Sequence, residues 1–115
     1  MEISFILSAD EIFTLISMML NRTKSGTEFL ENALRGAKLC DLSGLINKKL
    51  AHIDGDELEL EPVIRMVIDS ISNADIAEDH GNYWEIHSAW INLHCEIYPF
   101  KADYWKITPV KGAVA

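Results

Sequence analysis

The hydrophobic period of this chain changes once, and that change constrains the fold more than any other feature. Through the first 73 residues, apolar positions recur mostly at three and four, the spacing of helices buried along one side. After "NADIAEDHGN", residues 73–82, the spacing becomes two. "YWEIH", "WINLHCEIY" and "YWKITPV" are rich in aromatic and β-branched residues, as strands are. A chain of 115 residues has room for one core, so the two regimes must share it. The expectation is a single α+β domain over 1–115, mainly helical over 1–75 and an antiparallel sheet over 82–110.

Helix boundaries are marked by capping chemistry. Ser8 and Glu11 have the spacing of a capping box, with Leu7 and Ile12 placed for a hydrophobic staple. Ile12, Leu15, Ile16, Met19 and Leu20 then form one stripe, which predicts a helix ending near Asn21. Ser25 and Glu28 repeat the box spacing, with Thr27 as a rival cap. Phe29, Leu30, Ala33 and Leu34 form the apolar face of this second helix, and Gly36 supplies a stop. Asp41 can cap a short third helix carrying Leu42, Leu45 and Ile46, although Gly44 weakens it.

The segment "HIDGDELELEPVIRMV", residues 52–67, is the most acidic in the chain. "DG" marks a turn, and "ELELE" alternates, so Leu58 and Leu60 point one way and Glu57, Glu59 and Glu61 the other. A short half-exposed strand near 57–60 follows. Pro62 suits the first position of a fourth helix, with Val63, Ile64, Val67, Ile68 and Ile71 inward and Asn73 at its end. Beyond residue 82 the short joins "SA" and "PFKAD" predict a three-stranded antiparallel meander. In its middle strand Ile91, Leu93, Cys95 and Ile97 share one face, and Asn92, His94 and Glu96 the other. "KGAVA" reads as a frayed tail.

Several chemistries find no footing. The acidic run lacks the glycine placement of a calcium loop and reads as the wet side of an amphipathic strand. His52, His80, His87 and His94 show no zinc spacing, and His94 and Cys95 fall on opposite faces of a regular strand. There is no nucleophile elbow at Ser43-Gly44 and no glycine-rich phosphate loop. The expectation is a protein that is not an enzyme, with no cofactor and no metal. Cys40 and Cys95 read as buried hydrophobes rather than a disulfide.

Net charge is −8, and the cations are scattered along the chain, which argues against nucleic acid and for a basic protein partner. No apolar run approaches the roughly 20 residues that cross a bilayer. The start, "MEISFILSADEIF", lacks a basic leader segment, so a cytoplasmic location and no membrane contact are expected.

The aromatic residues offer the best candidate surface. Trp84, Trp90, Tyr98, Tyr104 and Trp105, with Tyr83 and Phe100 nearby, cannot all face one core. Their plainer role is to cover the sheet where helices do not reach. Their functional role is to anchor a protein partner. The sheet edges offer a route to a homodimer.

Gly44-Leu45-Ile46, Leu58, Leu60 and Pro62, within residues 5–75, resemble a pattern in EspG-like accessory and chaperone proteins of type VII (ESX-like) secretion systems. The resemblance implies a protein-interaction module, an accessory or chaperone-like component of a bacterial secretion or toxin system. The same middle segment looks like a winged helix, which implies a helix around 42–50 in a DNA groove with Lys48 and Lys49 as its cations. A further alternative is a small acidic immunity-type protein that neutralises a basic toxin through charge complementarity.

Overall fold

A computed structural model describes residues 3–110. Among them the chain forms an α+β domain: four helices, a five-stranded antiparallel sheet and a separate two-stranded hairpin. In chain order the elements are β1 (Phe5–Ser8), α1 (Ala9–Ser17), α2 (Lys24–Ala33), α3 (Ser43–Asn47), β2 (Ala51–Asp54), β3 (Glu57–Leu60), α4 (Pro62–Ser72), β4 (Ile76–Asp79), β5 (Trp84–Ser88), β6 (Leu93–Lys101) and β7 (Tyr104–Val110). The "KGAVA" tail lies outside the described residues.

The expected three-stranded meander is the centre of a larger sheet, ordered β1-β7-β6-β5-β4. "IAED", to which the sequence assigned no element, is β4, paired to β5 through Ala77 opposite Ile86 and Glu78 opposite Glu85. The first strand reaches across the whole chain: Phe5 pairs with Ile107 and Leu7 with Trp105. Neither strand has a strong period of its own, and each gains its hydrogen bonds from a partner strand.

One face of the sheet is apolar and carries the helices. Ile86, Cys95, Ile97 and Ile107 are fully buried there, against Ile12, Leu15 and Ile16 of α1, Phe29 of α2 and Ile64, Val67, Ile68 and Ile71 of α4. The central helix is α4, which touches α1, α2, β5 and β6. Trp84 belongs to this core: its ring meets Phe29 edge-on at 5.3 Å, and only 9% of the residue is exposed. That corrects its candidacy as a partner anchor, because inward alternation on β5 seats it under α2 rather than outside.

Two helix boundaries and two apolar positions differ from expectation. The Ser8–Glu11 capping box is present in both directions, but α1 ends at Ser17. Met19 is half-buried, and Leu20 is wholly exposed in the loop beyond. The second helix is capped by Thr23, not by Ser25 or Thr27. The reason lies elsewhere in the fold. Thr23 donates its amide to the Ser72 carbonyl (2.9 Å) and its hydroxyl to the Ala74 carbonyl, and Ser25 Oγ donates to the Asp75 carbonyl (3.1 Å). The start of α2 thus satisfies the last carbonyl of α4, that of Ser72, and two carbonyls just beyond the helix. Finally, Val63 of α4 and Ile46 of α3 lie on exposed sides of their helices rather than in the core.

The acidic segment folds as a hairpin. The chain turns at Gly55-Asp56 and Leu58 and Leu60 are half-buried, while Glu57, Glu59 and Glu61 are exposed. Glu59 faces His52 across the hairpin at 3.5 Å. Pro62 opens α4 and Asn73 closes it, as expected.

Candidate interaction surface

The five aromatic candidates do not converge. Trp84 is in the core. Trp105 pairs opposite Leu7 and Pro99 on the helix-covered face and is half-buried. Tyr98 lies on the opposite, outer face, stacked on Tyr83 at 4.8 Å, with its hydroxyl donating to Glu96 Oε1 at 3.1 Å. Tyr104 sits near the β1 edge beneath the Lys48 ammonium. Trp90 stands in the turn between β5 and β6, 84% exposed.

Trp90, the most exposed of the five, meets other exposed apolar surface. It lines a concavity of about 550 Å³ together with Met18, Leu20 and Leu58. Met18 is 59% exposed and Leu20 100%, so the rim consists of large side chains left in water. They are stranded because α1 stops at Ser17 and the β5–β6 connection turns back at Asn92, whose backbone is left-handed (φ 56). The polar wall is mainly acidic: Glu57 and Glu59 of the hairpin and Asp69 of α4, with Arg65 one turn before Asp69. An apolar rim beside carboxylates suits a partner segment that offers an aliphatic or aromatic anchor next to Lys or Arg. Sequence reasoning found Trp90 but missed its neighbours: Leu20 continues the spacing of the α1 stripe and reads as core, and Met18 lies off that stripe and drew no notice.

The outer sheet face is polar and aromatic. Glu78, Glu85 and Glu96 stand in one row across β4, β5 and β6, and His87 faces His94 in the next. Glu85 is clasped: His80 Nε2 hydrogen-bonds to its Oε1 at 2.9 Å, and His94 Nε2 approaches its Oε2 to 2.6 Å, away from a hydrogen-bonding direction. The hydrogen bond from His80 holds the Glu85 carboxyl below its ordinary pKa, with the charge of His94 acting in the same sense and partial burial opposing both. Cys95, on the covered face behind His94, is pushed up to about 11 by burial. Among the described residues no group of three His, Cys, Asp or Glu side chains could hold a metal ion.

The β1 edge of the sheet is partly occupied. Lys48 Nζ donates to the Ile6 carbonyl (3.1 Å) and to Glu11 Oε1 (3.0 Å), and Glu11 Oε1 also accepts from the Ser8 amide (2.8 Å). At the other edge, β4 displays Glu78 and Asp79, charges that oppose pairing with a second copy. The helix expected over 42–50 is the five-residue α3, ending at Asn47, and Lys48 pairs with Glu11. No helix among the described residues is long and apolar enough to cross a membrane. No protein-family model, curated protein or solved structure matches the chain.

Proposed function

We propose that the protein is a non-enzymatic protein-binding module whose partner inserts an apolar anchor, flanked by basic residues, into the concavity beside Trp90. The observation that carries this reading is the convergence of Trp90, Met18 and Leu20, each more than half exposed, on one acidic-walled depression. Scattered exposed hydrophobes are ordinary, whereas clustered ones around a concave site mark interfaces. The net charge of −8 favours a basic partner and raises its association rate at low salt. The acidic β4 edge makes a different protein a better partner than a second copy.

The resemblance over residues 5–75 supports placing this module as an accessory or chaperone-like component of a bacterial secretion or toxin system. A second reading, an immunity-type protein that neutralises a basic toxin, is favoured by the same charge balance. Capture from the native host compares wild type with a Leu20→Ser/Trp90→Ser variant. The proposal expects a stoichiometric partner, basic and apolar at its contact region, that the variant loses and added salt weakens. A partner retained equally by both proteins overturns it. Rescue of a toxic partner on co-expression selects the immunity reading.

A further inference from the structure

A second concavity, about 610 Å³, lies beside the β1 edge and shares no lining residue with the Trp90 groove. Its apolar wall includes Phe5, Leu50, Phe100 and Tyr104, and its charged lining is Lys48 and Lys101, without a carboxylate. A cationic, carboxylate-free hollow is unexpected in a chain of net charge −8.

Both lysines are placed by specific structure. The register of β6 slips between Pro99 and Lys101, leaving Phe100 without a partner on β7. Such a bulge re-aims side chains, and here Phe100 and Lys101 both line the hollow, with the ammonium 5.8 Å from the Phe100 ring centre. Lys48 is held by Glu11 Oε1 and the Ile6 carbonyl, with its Nζ 5.5 Å from the Tyr104 ring centre. An ammonium has three donors, and only two have acceptors among the described residues. Those two bonds hold the ammonium in place before any ligand arrives, which lowers the ordering cost of binding. The volume falls in the range of small-molecule sites, which combine an apolar lining with a few fixed polar groups.

We infer that this hollow binds an amphipathic carboxylate, its anionic head between Lys48 and Lys101 and its apolar body along Phe5, Leu50 and Phe100. The Glu11 carboxylate behind Lys48 cancels part of the attraction, so the apolar body supplies most of the affinity and Lys101 most of the charge selectivity.

The test titrates the full chain with octanoate and follows amide shifts by NMR. Acetate supplies the anion without the body, and octylamine supplies the body with the opposite charge. Octanoate is expected to shift Phe5, Leu50, Phe100 and Tyr104 saturably, whereas acetate and octylamine leave them in place. Lys101→Gln should weaken octanoate about three- to tenfold, the range for an exposed charge-assisted contact. Phe100→Ser should weaken it at least as much and tests the apolar wall separately. Octylamine binding as well as octanoate, octanoate shifts elsewhere in the sheet, or an unchanged affinity in Lys101→Gln would each overturn the inference.

Discussion

Gly26 of α2 rests against the carbonyl oxygen of Ser72 at the end of α4: a Cβ at Gly26 would stand 2.5 Å from that oxygen and 2.8 Å from the Ile71 carbonyl. Backbone cannot move aside as a side-chain tip can, so the helices must separate. Gly26→Ala is expected to cost about 3 kcal/mol or more in urea unfolding. Gly36→Ala is the control. It has open space around it but a left-handed backbone (φ 84), so the loss should be only about 1 kcal/mol. Equal losses would refute the close-approach explanation.

Two tryptophans separated by six positions should behave oppositely. Trp84→Ala removes a ring packed edge-on against Phe29 in the core and should cost about 3–5 kcal/mol. Trp90→Ala removes a side chain that stands in water and should change stability by no more than about 0.5 kcal/mol. Thermal unfolding of both variants separates the structural tryptophan from the candidate anchor.

Glu85 makes stability depend on pH. Its folded pKa is depressed, chiefly by the hydrogen bond from His80, so its contribution is present above the ordinary carboxylate range. As pH falls through the depressed value, the carboxylate is protonated and that contribution is lost. The sign is therefore loss toward acid. Glu85→Gln is expected to be less stable than wild type at pH 6, with the gap narrowing as pH falls below the ordinary carboxylate range. A gap that stays constant in denaturant titrations across this range would show that the clasp contributes nothing through charge.

The two thiols should react at different rates. Cys95 is fully buried, and its thiol is pushed up to about 11, so little thiolate is available at neutral pH. Cys40 is half-buried, with its sulfur 3.5 Å from Thr14 Oγ1. Native protein treated with a thiol reagent should consume one equivalent at Cys40 and the second only on unfolding. Mass spectrometry of partly labelled protein assigns the sites.

What the sequence made legible was local. The Ser8–Glu11 box, Pro62 and Asn73 act within a few residues of themselves, and each appears where its chemistry placed it. What it hid depended on distant partners. Thr23 caps α2 rather than Ser25 because its other bonds go to Ser72 and Ala74, 49 and 51 positions away in the sequence and adjacent in space. Strand β4 looks like a polar loop until Glu85 and Ile86 are set beside it. The candidate surface was half legible: the aromatic composition pointed to Trp90, but a stripe that outlasts its helix concealed Leu20, and Met18 lies off that stripe.

The pairing of Phe5 with Ile107 has a consequence for biosynthesis. Among the described residues β1 precedes every other strand and pairs only with β7, which follows them all, so the sheet cannot acquire β1 until β7 has left the ribosome. Helices α1 to α4 can collapse earlier, but their apolar faces then wait without the sheet that covers them. Closing so long a loop late slows folding, because its entropy is lost before the contacts repay it. During that interval the nascent chain offers its apolar side to whatever first covers it.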